Sequence, residues 1–137
     1  MSYKTLGQAI ERLRSALVLQ QTHHEDDLNV ALRDSVLLSF QFTYGLCRPM
    51  LERFLVSDGY DPQEVEEMSL AAIIRTANER GVLRADWAAW NEFRDARNRM
   101  AHVYSEAVSE MILEKVPGFL TEVGWLYDQL ESRRKEQ

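Results

Sequence analysis

The sequence predicts an all-α protein. Its 137 residues include only 6 glycines and 3 prolines, the residues that most often interrupt helices. Apolar side chains recur at intervals of three and four over long stretches, which is the period of a helix that buries one face. We therefore predict an antiparallel four-helix bundle with one additional short helix.

Composition narrows the classes of function. Hydrophobic residues make up 45% and charged residues 28%, as in a soluble protein with a packed core, and the length fits a single domain over residues 1–137. The formal net charge of −6 argues against a broad basic surface for long nucleic acids, but it is compatible with a local basic cleft.

Three further features concern the compartment. The lone cysteine, Cys47, cannot form an internal disulfide, and we expect it to be a small buried hydrophobe in a reducing environment. The N-terminus lacks a signal-type apolar core, and no run approaches the ~20 apolar residues of a membrane span. A cytoplasmic protein is expected.

The first two helices are indicated by apolar periodicity. The first runs from about Ser2 to Thr22, and the second from about Leu28 to Val56. The second is apolar on more than one face, so it should be the central, most buried helix. Pro49 cannot donate a backbone hydrogen bond and is expected to kink this helix.

The turn between these helices contains the only metal-ligand candidates in the sequence, His23 and His24, which are followed by the acidic residues 25–27. Adjacent histidines in an acidic turn are usually solvated, and nothing else in the chain suggests metal chemistry. We therefore predict no metal and no cofactor.

The third helix has a clear start signal. Asp61 is an N-cap acid, Pro62 fits the first turn, and Glu64 stands at the capping-box position. Apolar residues continue the pattern to Arg80, and Gly81 favours a C-terminal cap. One helix is predicted over this segment.

The last two helices follow from Asp86 onward. Asp86 precedes a fourth helix, predicted from Trp87 to about Tyr104, and a fifth is predicted from Ser105 to about Ser132. Pro117 is expected to bend the fifth helix.

Near the end of the fourth helix lie Arg97, Asn98, His102 and Tyr104. Histidine exchanges protons near neutral pH, and arginine presents a cationic fork suited to phosphate. At ~100° per residue, Asn98 and His102 fall within ~40° of each other, and Arg97 and Tyr104 within ~20°, at the edge of the apolar arc. Arg97 should then find an acid, a cleft shared with a symmetry-related copy, or a phosphate. An ordinary solvated helix face also fits the spacing.

The pattern of Arg97, four residues, His102, one residue and Tyr104 resembles the signature of HEPN-domain proteins, specifically the toxin-like branch paired with minimal nucleotidyltransferases. The resemblance extends over segments 33–44 and 81–106. These relatives are also labelled nucleotidyltransferase substrate-binding proteins. The resemblance implies a HEPN-like helical bundle that forms a homodimer and brings two copies of the motif to one cleft.

The resemblance also implies roles for these residues. Arg97 would bind the scissile phosphate of RNA, His102 would move protons, and Asn98 would position one of them. Cleavage would use the ribose 2′-hydroxyl and need no metal. Tyr104 matches the tyrosine that the cognate transferase, the antitoxin, modifies with adenylyl groups. Many relatives have Leu-Thr-Ser before the histidine, where this chain has Arg-Met-Ala at 99–101.

Two other functions remain open at this point. One is a non-catalytic subunit that presents a substrate to the nucleotidyltransferase, and the other is a purely structural helical dimer. The tryptophans at 87, 90 and 125 are expected to be core or dimer-interface residues rather than base-stacking platforms. The arginines at 94, 97 and 99 fit either a solvated face or a basic patch doubled in a dimer.

Overall fold

The computed structural model describes residues 2–25 and 27–136, and the prediction of an all-helical fold is confirmed. The segments that it describes contain no strand. The elements are α1 Lys4–Thr22, α2 Asn29–Ser57, α3 Pro62–Glu67, α4 Leu70–Glu79, α5 Trp87–Asn98, a 3-10 turn at Arg99–His102, and α6 Glu106–Lys135.

Helix α2 is the centre of the fold, as its apolar sequence predicted. It contacts α1, α3, α4, α5 and α6. An aromatic cluster joins it to α5 and α6: the ring of Phe119 lies 5.0 Å from Phe40, 5.3 Å from Phe93 and 6.2 Å from Trp90, in edge-to-face geometry. This cluster holds α2 and α5 side by side, which positions the site described below.

The prediction of one continuous third helix was wrong, because the chain divides into α3 and α4. Met68 and Ser69 are extended, and the Ser69 hydroxyl accepts a 3.1 Å hydrogen bond from the backbone N–H of Ala72. Serine competes for backbone hydrogen bonds and is more favourable at an N-cap than inside a helix. The Met68 carbonyl left by the break accepts a 2.8 Å hydrogen bond from Arg48 Nη2 on α2.

The fourth helix also ends earlier than predicted. Helix α5 stops at Asn98, and Arg99–His102 form a tighter 3-10 turn. The Val103 carbonyl accepts a 2.8 Å hydrogen bond from the buried Ser109 hydroxyl instead of continuing a helical ladder. The projection onto one ideal helix therefore fails beyond Asn98.

The fifth predicted helix is observed as α6. The Ser105 side chain caps it by accepting a 3.4 Å hydrogen bond from the backbone N–H of Val108. Within the segments that the structure describes, no helix has both the length and the apolar character needed to cross a membrane.

Candidate active site

Three arginine side chains from two helices surround Tyr44. Arg48 lies on α2 with Tyr44, whereas Arg94 and Arg97 lie on α5. The Arg97 Cζ atom is 5.8 Å from the centre of the Tyr44 ring, within the range of a cation–π contact. Arg97 Nη1 also donates a 3.3 Å hydrogen bond to Asn98 Oδ1.

The ionisation of Tyr44 reflects this environment. Burial raises the pKa of the Tyr44 hydroxyl, and the nearby thiol of Cys47 raises it further. The positive charges of Arg97, Arg94 and Arg48 oppose that rise. Three guanidinium groups thus act on one half-buried phenol.

A cavity of about 370 Å³ opens beside this tyrosine. Its apolar lining comes from α2, α4 and α5, and its polar rim carries three guanidinium groups and one amide. The lining residues are Tyr44, Gly45, Cys47, Arg48, Pro49, Leu51, Leu70, Ile74, Trp90, Arg94, Arg97 and Asn98. We refer to this cavity as the arginine cleft.

The two other motif residues lie outside the arginine cleft. His102 and Tyr104 are exposed, Tyr104 at 86%, and their rings are 6.0 Å apart and inclined by 75°. Among the described residues, no hydrogen bond or ring contact joins the Arg97–Asn98 pair to the His102–Tyr104 pair. The structure therefore pairs Arg97 with Asn98 and His102 with Tyr104. The pairing predicted from the ideal helix was wrong because the backbone tightens after Asn98.

The partners of Arg97 also differ from those expected for a charge at the edge of the apolar arc. Its side chain is exposed, and its contacts are an amide and an aromatic ring rather than an acid. Neither Arg94 nor Arg97 forms an ion pair with a described residue, whereas Arg99 pairs with Asp95 at 3.2 Å. The arginine cleft therefore presents two guanidinium groups that no carboxylate of the described chain neutralises.

Two residues that shape the site were missed by the sequence analysis. Tyr44 lies on a different helix from the motif, so no local spacing connects it to Arg97. The other is Glu122 on α6, which is 4% exposed and accepts hydrogen bonds at 3.1 Å from Arg84 N, 2.8 Å from Ala85 N and 2.7 Å from Trp90 Nε1. Glu122 thereby fixes the indole that lines the arginine cleft.

The structural assignment of the tryptophans agrees with their burial. Trp90 is 1% exposed, and Trp87 and Trp125 are half-buried, with Arg84 Cζ 5.0 Å from the Trp125 ring centre. Trp90 nevertheless also lines the arginine cleft.

The predicted character of Cys47 is confirmed as well. It is buried, and burial, with a smaller contribution from Glu122, raises the pKa of its thiol well above the ordinary range. The thiol therefore behaves as a small neutral core group.

The histidine turn offers no metal site among the described residues, where no group of three or more histidine, cysteine or acidic side chains is placed to hold an ion. Asp26, one of the acids of that turn, lies outside the described residues.

The fold and the site together define a small all-helical protein, in which α5 carries an arginine to a cleft beside α2 and the following turn carries a histidine and a tyrosine. The chain belongs to the family described as nucleotidyltransferase substrate binding protein like, whose model matches residues 1–132.

Two of the matches come from Haemophilus influenzae. One is named probable ribonuclease HepT and is 28% identical over 96 residues, which cover 70% of this chain and 65% of that protein. The matched part thus spans less than two thirds of that relative. The other is a solved structure, described as the fold of a substrate binding domain of a nucleotidyltransferase. It superposes with a TM-score of 0.87 at 24% identity, covering 95% of this chain and 99% of that chain, and shows a shared fold.

Proposed function

We propose that this protein is a metal-independent endoribonuclease that acts as the toxin of a pair, working as a homodimer and neutralised by its cognate nucleotidyltransferase. The observation that carries the proposal is the Arg97 guanidinium, which lies over Tyr44 at the rim of an open cleft and has no acidic partner among the described residues. A guanidinium placed in this way is available for a phosphodiester. The resemblance to the probable ribonuclease supports the same reaction class.

The proposed reaction is transesterification within RNA. The ribose 2′-oxygen attacks the adjacent phosphorus, the bond to the leaving 5′-oxygen breaks, and a cyclic phosphate and a 5′-hydroxyl result. Arg97 stabilises the negative charge that develops on the phosphoryl oxygens. His102 takes the proton of the 2′-hydroxyl or gives a proton to the leaving oxygen.

A second copy of the chain would complete this chemistry. One imidazole cannot act as base and acid in the same step, and within one subunit the His102–Tyr104 pair is separate from Arg97. A twofold dimer would supply a second histidine to the cleft.

The surface of α2 supports such a dimer. Leu38 and Phe42 lie one turn apart and are 65% and 59% exposed, so they form an adjacent pair of large apolar side chains that a second copy would cover. The same face of the helix continues to Gly45 and Pro49, which line the arginine cleft. Contact through this face would place two arginine clefts next to each other.

The dimer is tested by Leu38→Asp, with Val18→Asp on α1 as the matched control because Val18 is 56% exposed. Light scattering after gel filtration should give a dimer for the wild type and for Val18→Asp, and a monomer for Leu38→Asp. A wild-type monomer at micromolar concentration would contradict the proposed interface.

The reaction is tested by incubating purified protein with RNA in EDTA. His102→Ala should lower the cleavage rate by about 10²- to 10⁴-fold, the usual contribution of a general acid or base. His24→Ala removes an equally exposed histidine from the α1–α2 turn and should cleave at the wild-type rate. RNA that survives the wild-type protein, or equal cleavage by His102→Ala, would contradict a nuclease that uses this residue.

We also propose that the nucleotidyltransferase adenylylates Tyr104. At 86%, the side chain is the most exposed of the large apolar and aromatic groups among residues 2–25 and 27–136, so an enzyme can reach its hydroxyl. The tyrosine oxygen attacks the α-phosphorus of ATP and pyrophosphate leaves, which adds negative charge beside the site. Incubation with the transferase, ATP and magnesium should add one or more adenylyl groups to the wild type and none to Tyr104→Phe.

A non-catalytic substrate-binding subunit is the alternative function, and the description of the family favours it. Its expected outcome is different: the protein would co-purify with the nucleotidyltransferase while RNA remains intact. The separation of His102 from Arg97 within one subunit is compatible with this function as well.

A further inference from the structure

The interior of the arginine cleft has the properties of a small-molecule site. Its volume of about 370 Å³ lies in the lower part of the range of ~300–1,000 Å³ that is typical of ligand pockets. Its apolar lining comes from Tyr44 and Leu70, which are half-buried, and from Leu51, Ile74 and Trp90, which are buried, and its charged groups are Arg48, Arg94 and Arg97. A flat, apolar-faced ligand with a few polar edge atoms fits such a lining.

The polar groups of the cleft are nearly all hydrogen-bond donors. Arg48 is already engaged by the Met68 carbonyl at 2.8 Å and by Glu52 at 3.8 Å. Arg94 and Arg97 have no acid among the described residues, and the Asn98 Oδ1 atom already accepts from Arg97. Since guanidinium groups cannot accept hydrogen bonds, a ligand must present acceptors to them.

Arg94 and Arg97 can take two different roles in the arginine cleft. They are three residues apart on α5 and thus lie on the same side of the helix, one turn apart. Arg97 is the group assigned to the scissile phosphate above, which leaves Arg94 facing the same cleft without an assigned partner.

We propose that the arginine cleft is a nucleobase subsite for the RNA nucleotide next to the scissile phosphate, and that it selects guanine through Arg94. Guanine displays the acceptor pair N7 and O6, which matches an arginine fork, whereas adenine places an amino donor at the corresponding edge. The base ring would pack against Tyr44 and Leu70, the half-buried members of the apolar lining. This inference deepens the proposed function and rests on it for the identity of the ligand as RNA.

Binding of guanosine 3′-monophosphate and adenosine 3′-monophosphate to the purified protein, measured by calorimetry, tests the selectivity. The guanine nucleotide should bind at least tenfold more tightly. Because Arg94 is exposed, the Arg94→Ala protein should fold normally, and it should lose the preference for guanine. Arg12→Ala on α1 should keep that preference. Equal affinities for the two nucleotides, or an unchanged preference in Arg94→Ala, would overturn the proposal.

A second variant separates a base subsite from simple attraction of a phosphate. Leu70→Trp narrows the cleft from α4 and leaves every arginine in place. Leu70→Trp should lower the affinity for guanosine 3′-monophosphate at least tenfold but leave the affinity for inorganic phosphate unchanged. If both ligands keep their wild-type affinities in a normally folded Leu70→Trp protein, the base does not enter the cleft.

Mapping of the RNA cleavage products distinguishes a failure of this inference from a failure of the nuclease. Cuts next to guanine in the wild type, with relaxed base preference in Arg94→Ala, would support both the nuclease and the guanine subsite. Cleavage without base preference, together with equal nucleotide affinities, overturns the guanine subsite and leaves the nuclease standing. Selective guanine binding with intact RNA overturns the nuclease and supports the subsite as a binding site.

Discussion

The buried carboxylate of Glu122 offers the most direct test of how the site is held. Its two oxygens accept three hydrogen bonds: Oε1 from Arg84 N, and Oε2 from Ala85 N and Trp90 Nε1. The first two donors lie in the segment between α4 and α5, and the third is the indole that lines the arginine cleft. One side chain of α6 thus ties down both the start of α5 and the wall of the cleft.

The expected effect of Glu122→Gln follows from these bonds. The glutamine oxygen can occupy the Oε2 position and keep two donors, but its amide group then faces the Arg84 N–H, which loses its acceptor. Because a hydrogen bond to a charged group contributes about 1.5–3 kcal/mol, the free energy of unfolding should fall by about that amount. Glu122→Ala removes both acceptor oxygens and with them all three hydrogen bonds, so it should lower the free energy of unfolding by about 3–5 kcal/mol.

Urea unfolding followed by far-ultraviolet circular dichroism measures these differences. Glu114→Gln is the matched control, because Glu114 is exposed on the same helix, and it should change the free energy of unfolding by less than ~0.5 kcal/mol. In a Trp90→Phe background one donor is already absent, so Glu122→Ala should be less destabilising than in the wild type. Equal stability of Glu122→Gln and Glu114→Gln would refute the role of this carboxylate.

Three further predictions concern the stability of the fold. Since burial raises the pKa of the Cys47 thiol, the unfolded chain releases this proton near pH ~8.5 while the folded chain keeps it. The free energy of unfolding should then fall above that pH by about 1.4 kcal/mol per pH unit, measured by urea titration with reductant present, and Cys47→Ala should remove this slope. Gly7→Ala places a Cβ 2.8 Å from the Tyr127 ring and should destabilise the fold by about 1–3 kcal/mol. A Cβ added at Gly118 would meet no atom within 4 Å, so Gly118→Ala should raise the free energy of unfolding by about 0.5–1 kcal/mol, as measured by thermal unfolding.

Apolar periodicity was sufficient to locate the long helices and failed where breaks depend on tertiary contacts. It indicated α1, α2 and α6 and identified α2 as central. It missed the break at Met68, whose carbonyl is taken by Arg48, and the end of α5, where Ser109 takes the Val103 carbonyl. These donors are 20 and 6 residues away in sequence, so apolar periodicity alone did not reveal the interruptions, although Ser69 is a local N-cap signal for the first of them.

In the candidate site, the sequence likewise indicated only residues that lie close together in the chain. The motif pattern indicates Arg97 and His102 because both lie within one short segment. Tyr44 comes from another helix, and only packing brings it under the Arg97 guanidinium. Glu122 did leave a signal, since it lies three residues after Phe119 and on the same apolar stripe of α6, where a carboxylate needs buried donors.

The distribution of charge bears on the kind of RNA contact that the proposed nuclease would make. The chain as a whole carries a formal charge of −6, so most of its surface repels a polyanion. Packing of α5 against α2 nevertheless gathers Arg48, Arg94 and Arg97 around one tyrosine, and two of these three have no acidic partner among the described residues. Positive charge is thereby concentrated around a cleft of about 370 Å³. Such an arrangement favours capture of one exposed nucleotide and its phosphate over binding along a duplex, because a duplex would bring many phosphates against the acidic remainder of the surface.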